Sequence, residues 1–76
     1  MTQIMIDGKE VTFSKRDLEV ISLLARGCDN AEIAKELGIA TRTVKAHLHV
    51  IFIRCQITTG YKRIKLATMA YKSKLL

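Results

Sequence analysis

The stretch that decides the fold is Asp29-Asn30-Ala31-Glu32-Ile33-Ala34-Lys35-Glu36-Leu37-Gly38-Ile39-Ala40-Thr41-Arg42-Thr43-Val44-Lys45-Ala46-His47-Leu48. Asp29 followed three residues later by Glu32 is a capping-box pattern, in which each side chain accepts from the other residue's backbone N–H. Ile33, Ala34 and Leu37 then share one helical face. Gly38 supplies the stop, because glycine readily enters the left-handed conformation that closes a helix. Only Gly38-Ile39-Ala40 intervene before apolar residues resume at helical spacing with Val44, Leu48, Ile51 and Cys55. A short helix, a brief glycine-containing turn and a longer helix from Thr41 to about Cys55 make a helix-turn-helix. In that motif the second helix lies in the major groove of DNA and its N-terminal residues reach base edges.

Rotation at about 100° per residue tests that second helix. Val44, Leu48, Ile51 and Cys55 fall in one narrow arc and face the core, with Phe52 on its flank. Arg42, Lys45, Ala46 and His49, then Gln56, lie opposite. Thr43, His47, Val50 and Arg54 lie between the two faces. The outward face carries two bases, a small residue and an imidazole, and no acid. A helix face kept only for solubility mixes both signs of charge.

Working outward, Ser14 and Asp17 repeat the capping box, and a helix from Lys15 to Arg26 ends at Gly27 with Val20, Ile21, Leu23 and Leu24 as its apolar face. Gly60 precedes a fourth helix, Tyr61 to roughly Ser73. At the other end, Ile4-Met5-Ile6 and Val11-Thr12-Phe13 flank Asp7-Gly8-Lys9-Glu10. A four-residue loop pairs Ile6 with Val11 and Ile4 with Phe13, and all four side chains fall on one face. A two-residue Asp-Gly turn places Lys9 opposite Ile6 instead. A frayed arm is the third alternative. The expected fold class is all-α, four helices with a short N-terminal β-hairpin, divided as an arm at 1–13 and a helix-turn-helix unit at 14–76.

Composition narrows the function. The chain has 76 residues, of which 49% are apolar and 26% charged, and a net charge of +6. A chain this short supports one small core, since it buries only about 60% of its unfolded surface. All seven acids lie in the first 36 residues, against five bases; from Leu37 onward there are eight bases and no acid. The balance is therefore −2, then +8, which suggests a polyanionic partner for the second half. Cys28 and Cys55 lack the close spacing of a disulfide scaffold or zinc module, and inert thiols are expected. His47 and His49 point about 160° apart on one helix and cannot share a metal. No nucleophile, base and orienter set is present, so no enzyme and no cofactor are expected. Apolar runs reach only four residues, as at Val50 to Ile53, against about 20 for a membrane span. With no signal peptide, a cytoplasmic protein is expected, with no membrane partner and no small-molecule site.

These residues resemble a known pattern. Phe13-Ser14-Lys15-Arg16-Asp17-Leu18-Glu19-Val20-Ile21 is similar to the opening Leu-Thr-x-Arg-Glu-x-Glu-Val-Leu of the LuxR/GerE-type DNA-binding domain. Gly27, Asn30-Ala31-Glu32-Ile33-Ala34 and Leu37 resemble its Gly-x-x-Asn-x-Glu-Ile-Ala-x-x-Leu. Thr43-Val44-Lys45-x-His47-Leu48 matches Thr-Val-Lys-x-His-Leu, and Arg63-Ile64-x-Leu66-Ala67 resembles Arg-Val-x-Leu-Ala. The resemblance runs from about Phe13 to Tyr71 and leaves the first twelve residues outside. It implies a bacterial transcriptional regulator that binds double-stranded promoter DNA, commonly as a homodimer joined through the fourth helix. It assigns base contacts to Lys45, Ala46 and His49, and phosphate contacts to Arg42, Thr43, His47 and Arg54. The dimer interface falls on Ile64, Ala67, Thr68 and Tyr71.

Three departures stand out. Ala40 replaces the common Ser cap before the third helix, unless Thr41 takes over with a one-residue shift. Arg54-Cys55-Gln56 replaces Lys-Leu-Gly, and Thr58 to Lys62 makes a long connection. They leave room for an alternative from another class: a protein-interaction module of the same fold that pairs with a larger regulator. A sigma-factor-like contact with promoter DNA fits the Thr-Val-Lys-x-His-Leu match less well. The length leaves no room for a receiver or sensor domain, so an output unit is expected: as a whole protein it is controlled through abundance, a partner or the hairpin, and as a fragment it has lost its sensor.

Overall fold

A computed structural model describes residues 1–6 and 8–74; Asp7, which the sequence places in the turn, and residues 75–76 lie outside that description. The elements run β1 (Thr2–Ile6), β2 (Lys9–Phe13), α1 (Lys15–Ala25), α2 (Asn30–Leu37), α3 (Thr41–Arg54) and α4 (Lys62–Lys72). Four helices with an N-terminal hairpin are the fold the sequence implies.

The hairpin adopts the tighter register. Ile6 faces Lys9, Ile4 faces Val11 and Thr2 faces Phe13, so the four-residue loop with its Ile6–Val11 and Ile4–Phe13 pairs is not formed. The two registers differ by two residues, and side chains alternate with period two. Ile4, Ile6, Val11 and Phe13 therefore keep a common face in either register. The short turn prevails because a two-residue connection matches the right-handed twist of the strands. That shared face is buried: Ile6, Val11 and Phe13 join the same core cluster as the helices, with Ile4 packed against it.

Both expected capping boxes form. Ser14 Oγ accepts from the Asp17 N–H at 3.0 Å and Asp17 Oδ2 accepts from the Ser14 N–H at 2.9 Å. Asp29 and Glu32 make the same exchange at 2.8 and 2.9 Å. Helix α1 stops one residue short of Arg26, which serves as its cap, before Gly27 at φ 93°. Gly38 closes α2 at φ 68°, with the Ile39 N–H donating to the Ala34 carbonyl at 3.0 Å. This 6→1 bond is the signature of a left-handed helix stop. It turns the chain so that α3 begins after two further residues.

Helix α3 begins without a side-chain cap. The cap residue is Ala40, at φ −73° and ψ 149°, and Thr41 does not replace it. Thr41 is already the first helical residue, so its hydroxyl is one position too late. Helix α3 ends at Arg54 with Cys55 as cap, and α4 starts at Lys62 with no side-chain cap on Tyr61. Val44, Leu48 and Ile51 meet Val20, Ile21, Ile33 and Leu66 in the core. Burying each such side chain contributes about 1.5–3 kcal/mol. With one face of α3 fixed inward by these residues, the opposite face is fixed outward.

Candidate nucleic-acid interface

The outward face of α3 is the one its rotation predicts. Arg42, Thr43, Lys45, Ala46 and His49 are exposed, and His47 is half-buried. Among the described residues, Arg42, Lys45 and His49 make no ion pair or side-chain hydrogen bond. The first turn of α3 holds no acid, whereas α1 and α2 place Asp17 and Glu32 there. A helix N-terminus carries partial positive charge from its free N–H groups. Arg42 and Lys45 add to that charge instead of offsetting it. The start of α3 is thus arranged against its own stability and in favour of an external anion.

The flank of α3 is organised differently. Asp17 is buried, 6% exposed, and collects three partners. Its Oδ2 accepts from the Ser14 N–H and from Arg54 Nη1 at 3.1 Å, while His47 Nδ1 stands 3.8 Å from Oδ1. Arg54 Nη1 also donates to the Thr12 carbonyl at 3.4 Å. Arg54 is therefore held by the protein through one nitrogen. Its other guanidinium donors are unoccupied among the described residues, and 48% of its side chain remains exposed. Asp17 had been legible only as a cap; its place opposite the acidic residue of the family's opening motif was the signal for more.

A second arginine has a structural partner set. Arg63 Nη1 donates to Asn30 Oδ1 and Nη2 to the Cys28 carbonyl, both at 2.6 Å, which fastens α4 to the start of α2. Both Arg63 and Asn30 stand in the motif positions quoted from the sequence, and that pairing was the available clue. Lys65 Nζ donates to the Thr59 carbonyl at 2.8 Å, and Lys62 Nζ lies 6.0 Å from the centre of the Phe52 ring. The bases at the start of α4 are thus engaged within the chain.

The expected dimer residues divide. Ile64, Thr68 and Tyr71 form an exposed stripe at i, i+4 and i+7, with Ile64 65% and Tyr71 63% exposed. Ala67 lies at the edge of that stripe, partly buried against the core. Burial pushes the Cys55 thiol up to about 11, with Arg54 pulling it down and Asp17 pushing it up. A thiol held neutral is a poor nucleophile. Cys28 is half-buried and free. Among the described residues no three His, Cys, Asp or Glu side chains gather to hold a metal, and no helix is long and apolar enough to cross a membrane.

Comparison with known proteins places this geometry. The family model described as bacterial regulatory proteins, luxR family, matches residues 11–70. The match begins two residues earlier than Phe13 and takes in the last three residues of β2 but none of β1. The oxygen regulatory protein NreC of Staphylococcus aureus (strain JH9) is 38% identical over 63 residues, 83% of this chain and 28% of that protein. The uncharacterized transcriptional regulatory protein YxjL of Bacillus subtilis (strain 168) is 44% identical over 43 residues, 57% of this chain and 20% of that protein. The chain spans less than a third of the length of either relative.

Proposed function

The chain belongs to the luxR family of bacterial regulatory proteins, a family of transcriptional regulators and not of enzymes, and from that premise we propose that α3 enters the major groove of a specific duplex. One observation carries the reading: the exposed, acid-free start of α3, where Arg42, Lys45, Ala46 and His49 share the outward face and Thr43 stands exposed on its flank. Lys45 and His49 donate to base edges, and Ala46 allows close approach and contact with a thymine methyl. Arg42, Thr43 and His47 hold phosphates, and the free donors of Arg54 join them; such contacts set register without reading sequence. The cytoplasm, where promoter DNA lies, is the proposed setting.

Two copies pair through the exposed stripe of α4 at Ile64, Thr68 and Tyr71, with Ala67 at its base, and read half-sites about one helical turn apart. Selection of bound duplexes from a random pool tests both statements, since site length and symmetry report specificity and pairing together. On the selected duplex, Lys45→Ala is expected to cost about 1–3 kcal/mol and to relax one base position. Unchanged binding by that variant overturns the groove assignment. A single copy per duplex by ultracentrifugation overturns the pairing.

The same α4 stripe favours a second reading. Tyr61, Ile64 and Tyr71 are exposed beside Lys62, Lys72 and Lys74, a surface suited to a larger regulator that this chain pairs with and modulates. Tight binding to such a protein, with none to DNA at any salt, selects that reading.

A further inference from the structure

Strand β1 lies outside the stretch that matches the family, and the inner face of the hairpin closes the core. Its open end stands against the flank of α3. A cleft of ≈ 400 Å³ runs between Met1 and Thr43, Ala46, His47 and Arg54. A second, of ≈ 380 Å³, joins Met1 to Glu10, Thr12 and Arg54. Arg54 ties the two elements together, donating from Nη1 to the Thr12 carbonyl at 3.4 Å and to Asp17 Oδ2 at 3.1 Å. The open end of the hairpin is thus fixed relative to the base-facing helix.

We infer that this open end is a second DNA-contacting element, in which Gln3 and Thr12 hydrogen-bond the phosphates of the strand passing the Thr43–His47 flank. The inference rests on the placement of α3 in the major groove. That groove is about 12 Å wide, so a helix seated in it has a phosphate backbone along each flank. An element standing beside one flank meets that backbone. Gln3 and Thr12 are cross-strand partners on the face turned away from Ile4 and Val11. Gln3 is exposed and Thr12 half-buried. Uncharged side chains of this kind are common phosphate ligands. Glu10 is the carboxylate bordering the second cleft, one cross-strand pair further along the same face, so the backbone passes on the Gln3 side of it. A hairpin held at this distance from α3 widens the footprint without adding a cation.

The test uses the full chain and fluorescence anisotropy with two duplexes, one selected from a random pool and one of random sequence. Gln3→Glu is expected to weaken both by a common factor of about fivefold, because a carboxylate then faces phosphate. Gln3→Lys is expected to strengthen both and to steepen the dependence of log affinity on log salt by about 1. Lys9→Gln changes net charge by the same amount as Gln3→Glu, at the turn end about 10 Å away, and is expected to bind as the parent does. Gln3 variants that bind like the parent, while Lys45→Ala weakens binding, overturn the hairpin contact and leave the reading of α3 intact. Equal effects of Lys9→Gln and Gln3→Glu overturn it as well, by assigning the change to overall charge. If Lys45→Ala is also without effect, the placement of α3 has failed and takes the hairpin contact with it.

Discussion

Gln56 holds a left-handed backbone, φ 58°, in the position where α1 and α2 each use glycine. The bonds around it repeat those at Gly38: the Ile57 N–H donates to the Phe52 carbonyl at 2.8 Å and the Gln56 N–H to the Ile53 carbonyl at 3.0 Å. The turn therefore demands this conformation, and the side chain is what makes it costly. A non-glycine residue there loses about 1–2 kcal/mol to the crowding of Cβ against the carbonyl. Gln56→Gly is expected to raise stability by about 1 kcal/mol, after allowing for glycine's extra unfolded-state entropy. For a domain of this size that is a rise of about 4–8 °C in the thermal midpoint. Gln56→Val, β-branched, is expected to lower the midpoint. A glycine variant that melts below the parent would show that the glutamine side chain makes a compensating contact.

Helix α3 sets stability against function at its first turn. Ala40 already has the extended backbone of a cap residue, φ −73° and ψ 149°, but offers no side-chain acceptor, and the Thr43 N–H donates to the Ala40 carbonyl at 3.0 Å. Ala40→Ser is expected to stabilise the protein by about 1 kcal/mol in chemical denaturation. Ala40→Asp should stabilise at least as much, since its charge also offsets the helix dipole and the nearby Arg42. The two variants part on DNA. Aspartate places a carboxylate where phosphate is proposed to lie, so its affinity should fall about tenfold while that of Ala40→Ser does not. Equal affinities for the two would remove α3's first turn from the interface. What was legible in the sequence follows the same local logic. Capping boxes at Ser14 and Asp29 join residues three apart, and the stop at Gly38 needs only one residue type, so spacing alone reveals them. The hairpin register was not legible, because both registers put Ile4, Ile6, Val11 and Phe13 on the same face. Nor were the partners of Arg54 and Arg63, which lie 37 and 33 residues away in the chain. No local pattern reports such pairs.

Across the whole molecule, the change from −2 to +8 falls where α3 is about to begin, but the eight bases of the second part do not act alike. Arg63 and Lys65 bond groups of the chain itself, Lys62 sits over Phe52, and Arg54 is shared with Asp17. Arg42 and Lys45 alone face outward from the start of α3 without a partner among the described residues. Each phosphate neutralised contributes about −0.9 to the slope of log affinity against log salt. If all eight bases met phosphate, the slope would approach about −7 per copy. With Lys45 directed at base edges, the observed partners predict about −1 to −2 per copy, from Arg42 and part of Arg54. Arg42→Ala should make the slope shallower by about 1, whereas Lys72→Ala, on α4, should leave it unchanged. A slope near the larger figure, or one that Lys72→Ala reduces as much as Arg42→Ala does, would move the DNA onto α4. The stripe of Ile64, Thr68 and Tyr71 could not then join two copies while both stay bound, so this one titration also constrains how the copies pair.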